Sequence, residues 1–399
     1  MVKKFLTSVG LLAFGVILAF LLFEAGVRIF FPQSTVFHRP DPLLGHRGIP
    51  KRAGRFVGKE FSVPVTMNAH GFRDHDYSYA KGEGVFRIVV LGDSMTEAMQ
   101  VPLEKTFPKL LEEKLKSNGV RQFEVISLAL SDFGTAQEYL MLKQYGLQYS
   151  PDLVILAFMT GNDVRNNSLL LERETGDESR LRRPFFTLNH EELTLMNANF
   201  LADSPWVVNF VKQVLREHFQ SYMALRERIL VVFRSSLFSK RINASTQVED
   251  PPKAQIIAGD YQIYQVRYTP EWEEAWEITT RLILKMKDLA YTNGARFLVM
   301  SLTNKEQLNP HYWKSVRTTY RTMEQEEWDL DKPDHILKEF LESAEISYLQ
   351  LLPEFKRLSS STDKTFHWEF DGHWNPDGHQ LAAELLYNYL LQSHLIDLE

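Results

Sequence analysis

The 399-residue sequence contains no cysteine. That absence excludes a disulfide framework, a thiolate nucleophile, a thiolate metal site and a lipidated N-terminal cysteine. Basic residues are not in excess either, since 45 lysines and arginines stand against 51 aspartates and glutamates, for a net charge of −6. Nucleic acid needs a basic protein surface, so we expect no nucleic-acid partner. No suitably spaced His or acidic cluster indicates a metal, and no cofactor is expected.

Long apolar runs are also scarce, and the one that could cross a membrane lies at the N-terminus. Lys3 and Lys4 precede an uncharged run from Phe5 to Phe23, and about 19 residues are just enough to cross the hydrocarbon layer. No small-x-small cleavage pattern follows, because Glu24 and Arg28 come next among bulky residues. This favours an uncleaved signal anchor over a removed signal peptide. The two lysines favour an N-terminus on the cytoplasmic side.

The predicted organisation has one membrane span and one large domain outside the cytoplasm, periplasmic or extracellular. The segments are a cytoplasmic tip (1–4), a transmembrane signal anchor (5–31), a connecting N-terminal extension (32–84) and an α/β domain (85–395). A largely helical insertion at about 166–260 begins with a hairpin-like stretch and interrupts that domain. The composition, 44% hydrophobic and 24% charged, suits a folded domain with a sizeable core.

Within the large domain, short and nearly continuous apolar segments alternate with helical patterns. Five of them are predicted strands: Arg87–Asp93, Phe123–Leu130, Asp152–Met159, Arg296–Leu302 and Tyr348–Leu352. Strands of this kind are typical of a parallel sheet covered on both faces. The sequence therefore predicts a doubly wound α/β fold with a five-stranded parallel sheet. Ligands bind such sheets outside the carboxyl ends of the strands, where functional residues are expected.

Polar residues follow three of the predicted strands. Ser94 stands on the turn from the first strand into a helix, where its backbone N–H lies near a helix N-terminus that favours negative charge. Asn162 follows the third strand, and its side-chain amide can donate to an oxyanion. Gly134 follows the second strand and allows the backbone to approach a ligand closely.

The sequence Asp-Gly-His occurs twice near the C-terminus, between Asp371 and His379. Asn375 followed by Pro376 predicts a helix N-cap and first turn. His373 then lies in the loop before the helix, whereas His379 lies inside it. We therefore expect His373 to be the base, oriented by Asp371, because residues two apart in extended backbone point the same way.

Together these segments resemble the SGNH, or GDSL-type, serine hydrolase family over roughly residues 65–395. The matching blocks are Gly-Asp-Ser at 92–94, Gly-Asn-Asp at 161–163 and the segment from His373 into the final helix. The resemblance implies a flavodoxin-like fold and a triad of Ser94, His373 and Asp371. It also implies an oxyanion hole formed by the Ser94 N–H, the Asn162 amide and an N–H near Asp132 to Gly134.

Two departures from the family pattern concern the site. The family usually has Asp three residues before the His, but Phe370 holds that position and Asp371 is only two before. The resulting Asp-x-His-Trp resembles polysaccharide O-acetyltransferases. The first Gly of the family's glycine block is replaced by Asp132. Asp132 would then contribute its backbone N–H, with the Gly134 N–H as the alternative donor.

The resemblance implies a serine esterase or deacylase acting on an ester-bearing substrate, expected to be an acylated polysaccharide or cell-envelope component. One alternative is a polysaccharide O-acyltransferase that uses the same triad and excludes water from the acyl-enzyme. A second alternative is a non-catalytic glycan-binding or scaffold protein on a degenerate hydrolase fold. The other expected partner is the membrane, through the N-terminal helix.

Overall fold

The computed structural model describes residues 2–117, 119, 121–175, 177–190, 192–196, 211, 214–226 and 259–396. The chain divides into two compact units. The N-terminal unit comprises Met1–Val36, Arg55–Val57 and Ser204–Lys253. The α/β unit comprises Phe37–Gly54, Gly58–Asp203 and Ala254–Glu399.

The N-terminal unit is built on helix α1 (Val2–Phe30). Its residues Lys4–Phe30 have a mean hydropathy of 2.5, so by length and composition the helix could cross a membrane, as could a signal sequence. The apolar side chains along α1 are exposed, including Phe5 and Leu12. This matches the predicted apolar N-terminal helix, while its topology in a membrane stays a prediction.

Among the described residues, ten of the eleven strands lie within the α/β unit, and the residues of β3 are divided between the two units. In chain order the strands are β1 (His38–Asp41), β2 (Gly45–Gly48), β3 (Ala53–Val57), β4 (Ser62–Thr66), β5 (Val85–Gly92), β6 (Gln122–Ser127), β7 (Leu153–Met159), β8 (Phe186–Asn189), β9 (Glu192–Leu195), β10 (Arg296–Leu302) and β11 (Ser347–Gln350). Five of them form one sheet in the order β11-β10-β7-β5-β6, and all four pairings are parallel. The predicted five-stranded parallel sheet is confirmed.

The helices of the α/β unit pack on both faces of this sheet. In chain order they are α2 (Ser94–Glu97), α3 (Phe107–Ser117), α4 (Thr135–Gln144), α5 (Asp163–Asn166), α6 (Leu169–Glu174), α7 (Gly259–Gln262), α8 (Pro270–Thr292), α9 (Lys305–Leu308), α10 (Pro310–Thr319), α11 (Lys332–Ser343), α12 (Leu352–Ser361) and α13 (Pro376–Gln392). Along β5, Val89 and Leu91 enter one apolar core with α4, α8 and α11. Ile88 and Val90 enter the opposite core with α3, α12 and α13. This alternation is the period of two expected for a strand buried on both faces.

Much of the predicted connecting extension (32–84) contributes to the α/β unit. Leu44 and Phe72 are buried in the core that contains α4 and α8, and β1 pairs with β2 as an antiparallel hairpin. About half of the predicted insertion at about 166–260 lies outside the described residues. Within the insertion, β8 and β9 pair as the hairpin-like stretch that the sequence predicted.

Candidate active site

Ser94 is the first residue of α2 and directly follows the carboxyl end of β5 by way of Asp93. The buried Asp93 carboxylate caps this helix, since its Oδ1 accepts the Met95 N–H at 2.9 Å. Gly92 is required by space, because a Cβ there would lie 2.4 Å from the Thr96 Oγ1. The tight turn leaves the Ser94 side chain partly exposed at the edge of the sheet.

A continuous hydrogen-bonded chain joins Ser94 to the C-terminal loop. The Ser94 Oγ lies 2.8 Å from the His373 Nε2, and the His373 Nδ1 lies 2.6 Å from the Asp371 Oδ1. Burial raises the pKa of Asp371, but the hydrogen bonds and charge of His373 outweigh burial and bring the pKa below its usual value. An ionised Asp371 favours the tautomer with a proton on Nδ1, which leaves Nε2 free to accept one.

The contact between Asp371 and His373 is made by a turn and not by extended backbone, which corrects the sequence prediction. Gly372 has a φ of +86°, a left-handed conformation that glycine adopts at little cost. The turn is closed by the hydrogen bond from the Trp368 N–H to the His373 carbonyl at 2.8 Å. The predicted cap of α13 is present, since the Asn375 Oδ1 accepts the Gly378 N–H at 3.1 Å.

His379, the second histidine of the doubled motif, has a different environment. It lies within α13 with 1% exposure, and its Nδ1 accepts the Phe107 N–H at 3.3 Å. Burial, followed by nearby positive charge, lowers its pKa to about 3. His379 is therefore a neutral packing residue, and His373 is the one in contact with Ser94.

The predicted oxyanion donors differ in whether a protein group already accepts their hydrogen bonds. The Asn162 Nδ2 donates to the Asp93 Oδ2 at 3.0 Å, which leaves the second hydrogen of that amide available. The Gly134 N–H donates to the Gln137 Oε1 at 3.3 Å. Among the described residues, no protein acceptor receives the backbone N–H of Ser94 or Asp132. Of the two alternatives on this loop, Asp132 is the one with an unengaged N–H.

Asp132 has a φ of +64°, which explains why glycine would suit its position. Asp is one of the few other residues that tolerate the left-handed region. Arg183 holds it there, because its Nη1 donates to the Asp132 carbonyl at 3.0 Å and its Nη2 pairs with the Asp132 carboxylate. The Asp132 side chain is thus held by Arg183, and this contact fixes the backbone at Asp132. The Asp132 backbone N–H, which the sequence assigned to the oxyanion hole, takes no part in the contact.

A buried polar network that sequence reasoning missed supports the same loop. The Glu97 carboxylate accepts the Ser131 N–H at 2.8 Å and contacts the His38 Nε2 at 2.7 Å. The His46 ring donates to the Ser131 carbonyl at 2.7 Å. Burial lowers the pKa of His38, but the charge and hydrogen bond of Glu97 raise it by more, so the net shift is upward. His38 and Glu97 therefore form an ion pair.

Carboxyl groups also lie behind Ser94, and they are inaccessible to a substrate. Asp163 is fully buried and its Oδ2 accepts the Met159 N–H at 2.7 Å. Glu138 is also fully buried, and neither of its oxygens has a hydrogen-bond partner among the described residues. Burial and the neighbouring carboxyls raise the pKa of both groups well above the usual value. Both groups interact electrostatically with Asp93, and their burial closes them off from a substrate.

Comparison with known proteins gives several similarities. No protein-family model matches the chain. An arylesterase of Vibrio mimicus is 33% identical over 79 residues, which are 20% of this chain and 39% of that relative. The chain thus spans about two fifths of the length of the curated relative it matches.

Several of the solved structures that the chain resembles are described as lipases and esterases. A lipase/acylhydrolase from Enterococcus faecalis is 12% identical, with a TM-score of 0.38 over 77% of this chain and 96% of that one. A GDSL-like lipase from Bacteroides thetaiotaomicron is 11% identical, with a TM-score of 0.34 over 77% and 88%. An acetyl xylan esterase is 13% identical, with a TM-score of 0.39 over 76% and 98%.

The low pKa of His379 generates a prediction about stability in acid. Between the ordinary histidine pKa near 6.5 and about 3, the unfolded chain binds a proton that the folded chain does not. Stability contributed by the neutral His379 should therefore be lost as the pH falls, by about 1.4 kcal/mol per pH unit. His379→Asn keeps an acceptor for the Phe107 N–H. In this variant the free energy of unfolding should fall less steeply with decreasing pH, by up to about 1.4 kcal/mol per pH unit.

Urea denaturation of the full-length chain in detergent at pH 6.5, 5.5 and 4.5 measures the difference. The exposed His311 supplies the matched control, since His311→Asn should keep the wild-type slope. Parallel slopes for His379→Asn and the wild type would contradict the assignment of His379 as a buried neutral residue.

Proposed function

We propose that this protein is a membrane-anchored serine esterase of the SGNH type, acting on acylated carbohydrate of the cell envelope or of an exported polysaccharide. The single observation that carries the proposal is the chain of hydrogen bonds from Ser94 through His373 to Asp371, at 2.8 and 2.6 Å. Nucleophile, base and orienting carboxylate in that order are the arrangement by which serine hydrolases activate a hydroxyl.

In the proposed mechanism, Ser94 Oγ attacks the ester carbonyl while His373 Nε2 takes the hydroxyl proton. The imidazolium is stabilised by Asp371 through Nδ1–H. Negative charge on the tetrahedral intermediate is received by the N–H groups of Ser94 and Asp132 and by the second amide hydrogen of Asn162. Collapse breaks the ester C–O bond, and the leaving alcohol takes the proton from His373. Water, deprotonated by His373, then attacks the acyl-enzyme. Collapse breaks the bond to Ser94 Oγ, which takes the proton back from His373 as the acid is released.

Separate observations support the membrane anchor, the contact with substrate and the ester chemistry of the proposal. The apolar helix α1, preceded by Lys3 and Lys4, would hold the α/β unit outside the cytoplasm, where cell-envelope glycans are found. The Phe370 side chain, adjacent to Asp371, is 60% exposed and could lie against a sugar ring or acyl chain at the rim of the site. The arylesterase name of the Vibrio mimicus relative agrees with ester hydrolysis.

An O-acyltransferase is the second candidate, favoured by the Asp-x-His-Trp arrangement at 371–374. Both enzymes would form the same acyl-Ser94, and they differ in whether water or a sugar hydroxyl accepts the acyl group. The 28% exposure of both His373 and Asp371 favours hydrolysis, because water reaches this part of the site in the absence of an acceptor.

The first prediction of the proposal concerns the nucleophile. Ser94→Ala should lose labelling by an organophosphonate and turnover of p-nitrophenyl acetate, because no other group would form the covalent intermediate. Its melting temperature should stay near that of the wild type, since the Ser94 hydroxyl is not part of the core. Equal labelling of variant and wild type would remove Ser94 from the mechanism, and a wild type that binds glycan but is never labelled would support a non-catalytic protein.

The second prediction separates backbone from side-chain oxyanion donors. Asn162→Ala should lower kcat about a hundredfold or more, the usual cost of one oxyanion donor. Asp132→Gly should stay within a few-fold of the wild type, because glycine keeps the N–H and adopts the left-handed conformation freely. A loss after Asp132→Gly as large as that after Asn162→Ala would show that the Asp132 carboxylate takes part.

The third prediction distinguishes hydrolase from transferase. With p-nitrophenyl acetate as donor, a hydrolase should release acetate at a rate that a sugar oligomer does not raise. Mass spectrometry of the oligomer should then show no acetylation above that of the Ser94→Ala control. Acceptor-dependent release of p-nitrophenol together with an acetylated oligomer would favour the transferase instead.

A further inference from the structure

The loop that carries Asp371 receives a carboxylate from a remote part of the sequence. Glu60 lies on the turn between β3 and β4 and is half-buried. Its Oε1 accepts the Glu369 N–H at 2.7 Å, and its Oε2 accepts the N–H groups of Phe370 at 2.7 Å and Asp371 at 3.2 Å. One side chain thus binds three successive backbone donors.

Successive N–H groups that point to one side of a turn form a concave site for an anion. Here the turn ends at Gly372, which has a φ of +86° and joins Asp371 to His373. Without an anion, water would have to satisfy the three donors, and the turn would be less constrained. A charged acceptor makes stronger hydrogen bonds than a neutral one, so the Glu60 carboxylate suits this position.

Two further contacts hold the same turn. The Lys59 ammonium lies 3.0 Å from the centroid of the Phe370 ring, and the Lys305 Nζ donates to the Glu369 carbonyl. Lys59 neighbours Glu60, whereas Lys305 belongs to α9, which follows β10. The backbone around Asp371 is therefore fixed by the β3–β4 turn on one side and by the carboxyl end of the sheet on the other.

We propose that Glu60 is a positioning residue for the active site. By binding the Asp371 backbone N–H and its two predecessors, it sets the place from which the Asp371 carboxylate meets the His373 Nδ1 at 2.6 Å. The inference rests on the proposed esterase function and adds to it a residue outside the three family blocks. Because a misplacement of about 1 Å can lower a rate a hundredfold, a support of this kind would affect catalysis without contact with substrate.

Glu60→Gln in the full-length enzyme is the test. The amide keeps one acceptor oxygen but presents an NH₂ group to the donors of the turn. We expect kcat for p-nitrophenyl acetate to fall roughly tenfold or more, with KM nearly unchanged and the rate of phosphonate labelling lowered by the same factor. Asp363→Asn, which removes an exposed carboxylate from the segment leading to this loop, should match the wild type.

A double-mutant cycle separates positioning from a general effect on folding. If Glu60 acts through Asp371, Glu60→Gln should lower the residual labelling rate less than twofold in an Asp371→Asn background. An equal loss in both backgrounds, or wild-type kcat in Glu60→Gln alone, would overturn the inference. If Glu60→Gln fails to melt cooperatively, Glu60→Asp, with the same charge one methylene shorter, takes its place in the cycle.

The two proposals fail in distinguishable ways. A wrong enzymatic assignment shows as labelling that persists in Ser94→Ala, whatever happens at Glu60. A wrong assignment of Glu60 shows as full activity in Glu60→Gln while Ser94→Ala is inactive.

Discussion

The hydrogen bond between Ser94 and His373 joins residues 279 positions apart in the chain, and the rest of the site depends on it. It exists because all strands of the central sheet are parallel, so that β5 delivers Ser94 to the edge where the loop before α13 also lies. The two side chains need short and rigid connections to their elements. Ser94 has the Asp93-capped turn, and His373 has the closed turn at Gly372 and the Asn375 cap.

Around this contact, each loop of the site is held by a charged side chain from a distant segment. Glu60 binds the turn that carries Asp371, Arg183 binds Asp132, and Glu97 binds Ser131 while paired with His38. Glu97 and Arg183 are buried, and a buried charge that loses all of its partners costs several kcal/mol, so these two sets of contacts also contribute to the stability of the domain. The geometry of the loops is thereby tied to the stability of the domain.

What could be predicted from the sequence followed local rules. Apolar runs located the strands, and the Asn375-Pro376 cap distinguished His373 from His379, because both signals lie within a few residues. The Asp371–His373 contact was expected, but through extended backbone, since a glycine between them did not reveal its positive φ. Glu60 and His38 could not be found, because their roles depend on how hairpins of the extension pack against loops far away in the chain.

The donors left without protein partners complete this picture. Among the described residues, the N–H groups of Ser94 and Asp132 have no protein acceptor, although Glu97 and Arg183 hold the Ser131–Asp132 segment firmly. In the proposed mechanism these donors would receive the negative charge that arises only during the reaction. That charge would develop on the carbonyl oxygen when Ser94 attacks an ester.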